Sequence, residues 1–127
     1  KGVECRFIAA DLTGDSIEID QSFDFAYDWE VLHHVFPEDR EKYVQNVHCL
    51  LRRGGKYLSV CFSKEDPDFG GEGKYRKTPL GTTLYFSSEE ELRALFEPRF
   101  HIQELYTSEI AGKYGPHKVI VAMMKRE

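Results

Sequence analysis

A chain of 127 residues, 41% hydrophobic and 31% charged, is long enough for one domain with a single core and too short for two. That balance excludes a disordered chain, and the apolar runs are far shorter than a membrane helix needs. A formal net charge of -5 argues against general nucleic-acid binding, which needs a basic face to neutralise phosphates. Cys5, Cys49 and Cys61 are odd in number and lack the close spacing of a disulfide or metal framework, so a reducing, cytoplasmic setting is expected. No signal peptide is read, and a chain that opens at Lys1 directly into a strand reads as the middle of something longer.

Val3, Cys5, Phe7 and Ala9 alternate with Gly2, Glu4, Arg6 and Ile8, the period of a strand with one more apolar face. It ends in a polar loop at residues 10–14, and Ile17 and Ile19 lie in an acidic connector. Residues 23–27 (FDFAY) predict a second strand, apolar on both faces as a central parallel strand must be. Asp28-Trp29-Glu30 and Leu32-His33-His34-Val35 follow directly. A strand whose carboxyl end opens onto acid, Trp and His marks the place where open α/β sheets hold ligands.

Pro37, Glu38 and Asp39 suit a helix start, by fixed φ and by the dipole. Tyr43, Val44, Val47, Leu50 and Leu51 form one apolar stripe; Arg52 and Arg53 favour the helix end, with Gly54 as its left-handed cap. Residues 56–62 predict a third strand, making a right-handed βαβ unit. The Gly-, Pro- and Lys-rich stretch 63–86 reads as a long loop, a functional lid or a mobile segment. Ser87-Ser88 before Glu89-Glu90-Glu91 fits a capping box in either of two registers, Leu92, Leu95 and Phe96 give a buried stripe, and Pro98 ends the helix. Phe100, Ile102, Glu104 and Tyr106 begin a strand, and residues 118–124 (KVIVAMM) form the last. No helix fits between these two, so they pair antiparallel through a loop at 108–116.

Several side chains carry possible chemistry. His33 and His34 could be a base, a substrate contact or a metal pair, but adjacent residues do not share a helix face. The plainer reading has one facing the crevice and the other satisfied by hydrogen bonds. His48, Cys49 and Cys61 show no ligand spacing, and no metal-ligating set is expected. Lys74, Arg76 and Lys77 interleave with Tyr75, either as a solvated loop or as a lid whose Tyr75 and Arg76 touch an anionic substrate. Residues 70–75 are not a P-loop.

Four pieces, taken in order, carry a family likeness: FIAADL at 7–12, FDFAYD at 23–28, LHHV at 32–35 and LLRRGGKY at 50–57. With the terminal strand pair, the sequence resembles the C-terminal two-thirds of a class I S-adenosylmethionine-dependent methyltransferase. Within that family it is most similar to the thiopurine, thiol or halide branch acting on small molecules. The resemblance implies an incomplete Rossmann-like α/β fold, with a mostly parallel sheet ending in an antiparallel hairpin. Residues 1–127 would be a partial domain without the N-terminal cofactor-binding strands. The family's Gly-rich turn after its first strand, and the acid after its second, are absent.

The same resemblance implies S-adenosylmethionine as cofactor and a small-molecule methyl acceptor, with no nucleic acid or membrane partner. Asp11 would accept the adenine amino group beside the Leu12 backbone; otherwise it is an ordinary turn Asp. Asp28 and Trp29 would flank the methionine part and the sulfonium, Trp29 through its ring face; otherwise Trp29 packs under the next helix. Asp24 reads as capping the strand start. A thiolate acceptor needs no strong base, whereas a hydroxyl or amine would be helped by His33 or His34. A second reading is a non-catalytic fragment, inactive alone, that associates as a homodimer through the exposed edge of the 23–27 strand. A third, a flavodoxin-like domain for another nucleotide, is disfavoured by the antiparallel ending.

Overall fold

The computed structural model describes residues 8–15, 17, 19, 22–69, 72–112 and 115–127. The expected first strand falls largely on residues 1–7, outside the described ones, and Ile8, Ala9 and Ala10 have no regular structure. The elements run β1 (Phe23–Trp29), a 3-10 turn (Leu32–His34), α1 (Pro37–Leu50), β2 (Leu51–Phe62), β3 (Tyr75–Lys77), β4 (Thr83–Tyr85), α2 (Glu89–Phe96), β5 (His101–Gly112) and β6 (Gly115–Lys125). The main sheet has the order β1-β2-β6-β5, and β3 pairs with β4 separately. β1 and β2 are parallel across the α1 crossover, while β6 is antiparallel to both β2 and β5. That direction of β6 rules out the wholly parallel nucleotide fold for this sheet.

α1 begins as expected, with Pro37 in its first turn beside Glu38 and Asp39. Tyr43, Val44 and Val47 bury its apolar stripe, joined by Arg40 and Asn46. The helix stops at Leu50, however, and Leu51 already opens β2. Arg52 and Arg53 therefore lie on a strand; Arg52 pairs with Asp24 at 2.7 Å, so Asp24 anchors across the sheet and does not cap its own strand. Gly54 does take a left-handed φ of +85°, but inside β2. There its N–H donates to the Arg126 carbonyl at 2.6 Å, and the Arg126 N–H donates back to Gly55 at 2.8 Å. The turn is needed because the β1–β2 register slips between Phe23 and Phe25.

The second correction concerns β1 itself. Phe23, Phe25, Tyr27 and Trp29 are 39%, 49%, 67% and 50% exposed. These residues alternate with Asp24, Ala26 and Asp28, so they share one face of the strand. The core lies on the other face: Ala26 packs on a cluster of Leu32, Tyr43, Val44, Val47, Leu51, Tyr57, Phe96 and Met124. Among the described residues, β1 pairs only with β2 and is an edge strand. Burying each large core side chain contributes about 1.5–3 kcal/mol, and that drive acts here on one face of β1 alone.

Where they are described, residues 63–86 also hold regular structure that was not expected of a long loop. They carry β3 and β4, and Leu84 and Phe86 pack with Val60, Phe62 and Val119 in a second cluster. α2 starts with a complete capping box in one register, Ser88 with Glu91. The terminal hairpin is antiparallel as expected, but its strands run through most of the expected 108–116 loop, as far as Gly112 and from Gly115.

Candidate functional site

The carboxyl end of β1 sets the geometry. Asp28 points into the core, opposite Ser59 of β2. Its carboxylate accepts from Ser59 Oγ at 2.6 Å, from Tyr43 Oη at 2.8 Å, and from Tyr57 Oη. Burial raises the Asp28 pKa, and the three hydroxyl bonds oppose that rise. Burial also raises both tyrosines, which stay protonated as donors. Asp28 thus ties β1 to β2 and α1 from inside, and its carboxyl is committed there.

Trp29 points the other way, into solvent, and its indole N–H donates to Glu30 Oε2 at 3.1 Å. It does not pack under α1. Glu30 holds a left-handed φ of 61°, rare for a residue with a side chain. Its N–H still donates to the Val60 carbonyl at 2.7 Å, so the ladder continues into a sharp turn. Such backbone outliers concentrate where ligands bind.

The histidine pair divides its roles. His33 is buried, stacked on Phe62 at 4.1 Å between ring centroids, and its Nδ1 accepts the Phe62 N–H at 3.2 Å. Burial first, then the nearby His34, Arg40 and His117, push its pKa down to about 3. With Nδ1 occupied as acceptor, the proton sits on Nε2. His34 is exposed. One histidine is satisfied by a hydrogen bond and the other is exposed.

Beneath them lies Arg40, buried on α1. It donates from Nε to the Val35 carbonyl at 2.7 Å, from Nη2 to Leu32 at 3.0 Å and from Nη1 to Ser87 Oγ at 2.7 Å, with the Tyr85 ring 4.8 Å away. It therefore holds both ends of the 3-10 turn that presents His34. Cys61, buried nearby, is a thiol pushed up to about 12 by burial, far from a reactive thiolate.

Asp11 is exposed, and its Oδ1 accepts from Thr13 N at 2.9 Å and Thr13 Oγ1 at 2.6 Å. Those bonds lower its pKa. Asn46 of α1 donates to the carbonyls of Leu12 at 2.7 Å and Gly14 at 3.1 Å, and Leu12 packs on the main core. The face of α1 that reaches Asp28 through Tyr43 thus also seats the Asp11 turn. Tyr75 is exposed, edge-on to Phe36 at 5.5 Å and Tyr85 at 4.8 Å. Arg76 is buried and spent on backbone carbonyls: Lys64, Asp66, Asp68 and Gly73.

At the carboxyl end of β1 and in the turn that follows, Asp28 and His33 are buried with separate partners, and Trp29 and His34 are exposed. Two open polar grooves lie elsewhere: one of about 570 Å³ between Arg93, Arg99, His101 and Glu127, and one of about 390 Å³ between Ser63, Glu65, Ser88 and Thr107. Sequence reasoning missed Tyr43, Tyr57, Ser59 and Arg40. Ser59 in an apolar strand, and an arginine on the buried stripe of α1, were the available signals. No helix among the described residues is long and apolar enough to cross a membrane.

Residues 1–59 match the methyltransferase domain family. Solved structures share the fold. A SAM-dependent methyltransferase from Methanosarcina mazei matches with TM-score 0.72 and 18% identity, over 92% of this chain and 65% of that one. The Burkholderia thailandensis 1,6-didemethyltoxoflavin-N1-methyltransferase, with 1,6-didemethyltoxoflavin and S-adenosylhomocysteine bound, gives TM-score 0.69 and 22% identity over 95% and 50%. The N-methyltransferase NodS from Bradyrhizobium japonicum, in complex with S-adenosylhomocysteine, gives 0.60 and 13% over 94% and 53%. The chain has the Rossmann-like fold of class I S-adenosylmethionine-dependent methyltransferases, and the family match covers its first 59 residues. It spans between half and two-thirds of the length of these three structures.

Proposed function

We propose that the protein takes part in methyl transfer from S-adenosylmethionine to a small-molecule nucleophile. The observation that carries this is the strand order β1-β2-β6-β5, with its antiparallel ending and a strained turn at the carboxyl end of β1. The residues present fit the cofactor in part. Asp11 keeps Oδ2 free of the hydrogen bonds that engage Oδ1, so it can accept an exocyclic amine, with Leu12 held beside it by Asn46. Trp29 offers an exposed ring face to a cationic sulfur. Asp28 does not fit a direct contact, since its carboxyl is spent on three hydroxyls; its role is to position Trp29 and Glu30.

S-adenosylmethionine, when bound, supplies a methyl group activated by positive sulfur. The work left to the protein is alignment, which can contribute several kcal/mol. His34 is the solvent-facing imidazole that can take a proton from a hydroxyl or amine acceptor. His33 is neutral and enclosed, and supports its neighbour through the Phe62 stack. Tyr75, standing on Phe36, forms one wall for the acceptor, while Arg76 shapes the insertion that carries it. Titration calorimetry with S-adenosylhomocysteine tests this reading. Heat of binding that Asp11→Ala weakens supports it, and no heat at any cofactor concentration sinks it.

A second reading has its own observation. The unpaired edge of β1 and its aromatic face suit an associating module that completes its sheet with a second copy. It predicts self-association and no cofactor heat.

A further inference from the structure

Away from β1, three metal-ligating side chains converge where the insertion meets the terminal hairpin. Asp66 Oδ2 lies 3.2 Å, and Asp68 Oδ2 2.9 Å, from the same atom, His117 Nδ1. All three ligand atoms lie within 4.8 Å of one another. We propose that Asp66, Asp68 and His117 form a binding site for a divalent transition-metal cation, zinc or a metal of similar preference. None of the three is among the residues proposed to hold the cofactor or the acceptor.

The distances fit. Zinc binds imidazole nitrogen and carboxylate oxygen at about 2.0–2.2 Å, which sets neighbouring ligand atoms roughly 3.0–3.4 Å apart in tetrahedral or octahedral geometry. The donor set fits as well, since one imidazole with two carboxylates suits borderline to hard divalent ions.

The nitrogen is selected by the fold. A Cβ on Gly112 would stand 2.8 Å from His117 Nε2, so β5 closes that side of the ring and leaves Nδ1 as the ligand atom. The Phe62 ring, 5.0 Å away, backs the imidazole.

The charge balance points the same way. Asp66 is wholly buried, and its Oδ2 also accepts the Lys118 N–H at 2.8 Å while Oδ1 accepts the Asp68 N–H at 2.8 Å. Arg76 is close, but its guanidinium meets the backbone carbonyls of Asp66 and Asp68. Among the described residues, His117 is the one ionisable side chain within ion-pair distance of either carboxylate. The Arg76 charge, which both carboxylates feel, offsets one of the two, and a neutral imidazole leaves one negative charge in excess that a divalent cation neutralises. Asp68 is partly open to solvent, which gives the ion a way in and water a coordination position.

The sequence hid this set because Asp66 and His117 are 51 positions apart. An ion there would clip the start of the 63–86 insertion to β6, and so steady the segment that carries Tyr75.

Cobalt(II) titration of the chain, followed in the visible range, is the test. The expected result is a saturable absorption band at one equivalent that zinc(II) bleaches. Asp68→Asn and His117→Gln should each weaken uptake at least tenfold, while His101→Gln leaves it unchanged. Asp68 is exposed enough for its variant to fold, which circular dichroism checks. No band at stoichiometric cobalt(II), or a band that survives in both ligand variants, overturns the proposal.

Discussion

His33 carries a pH signature that its neighbour lacks. Its imidazole is held neutral, with a pKa pushed down to about 3 mainly by burial, whereas an unfolded histidine titrates near 6.5. The unfolded state therefore binds the extra proton first. Stability is intact above pH 6.5 and is lost as pH falls from there toward 3, at about 1.4 kcal/mol per unit once the slope develops. Unfolding free energies from urea titrations should fall by about 2 kcal/mol more between pH 7.5 and 5 in the parent than in His33→Asn, whose amide can still accept from Phe62. Parallel slopes in the two proteins would remove His33 as the cause. Asp28 acts in the opposite sense: its raised pKa means that the native state binds the proton more readily, so its contribution is largest in acid and fades as pH rises. Asp28→Ala leaves three buried hydroxyl partners without an acceptor. Its expected cost is about 3–5 kcal/mol, against about 1 kcal/mol for Tyr43→Phe, which removes a single bond. Equal midpoints for the two variants would show that the carboxyl is not the hub.

At the scale of elements, what was legible was what is local. Pro37 with two acids and the Ser88–Glu91 box marked the start of both helices, and Pro98 the end of the second, because capping needs only residues close in sequence. The cap expected at Gly54 failed for a non-local reason. Its left-handed φ is real, but the bonds it serves run to Arg126, at the far end of the chain. Arg76 failed likewise as a readable residue. Its partners are backbone carbonyls of Lys64, Asp66, Asp68 and Gly73, and no side-chain pattern records them. Among candidate site residues, the polar and aromatic break at Trp29 and the histidine pair after an apolar strand was legible, though not which of these side chains faces outward. The inward turn of Asp28 was not, because it depends on Tyr43 and Tyr57 arriving from two other elements. Arg76→Ala leaves four carbonyls without their donor, and limited proteolysis within 64–77 should speed up by roughly tenfold or more. The pattern of fragments from β5 and β6 should stay as in the parent. Arg76→Ala digesting at the parent rate would mean that the insertion is held by its apolar cluster alone.

At the scale of the whole molecule, one aromatic face decides between the two proposed readings. Phe23, Phe25, Tyr27 and Trp29 stand on the open side of β1, beside a backbone edge with no strand partner among the described residues. Apolar surface of this kind is covered in stable proteins, by a ligand, by more of the same fold or by a second copy. Trp29 is the one tryptophan in the sequence, so its emission reports on this face without labelling. If a second copy covers the face, the emission shifts to the blue as chain concentration rises, and light scattering gives about twice the monomer mass, as an unpaired edge predicts. Tyr27→Lys, which places a charge on that face without touching the core side of β1, should restore the red emission and the monomer mass. If the cofactor site is formed in this chain, S-adenosylhomocysteine changes the Trp29 emission at fixed concentration, and Asp11→Ala weakens that change. Emission that responds to neither concentration nor S-adenosylhomocysteine would count against both readings, because each requires Trp29 to leave water.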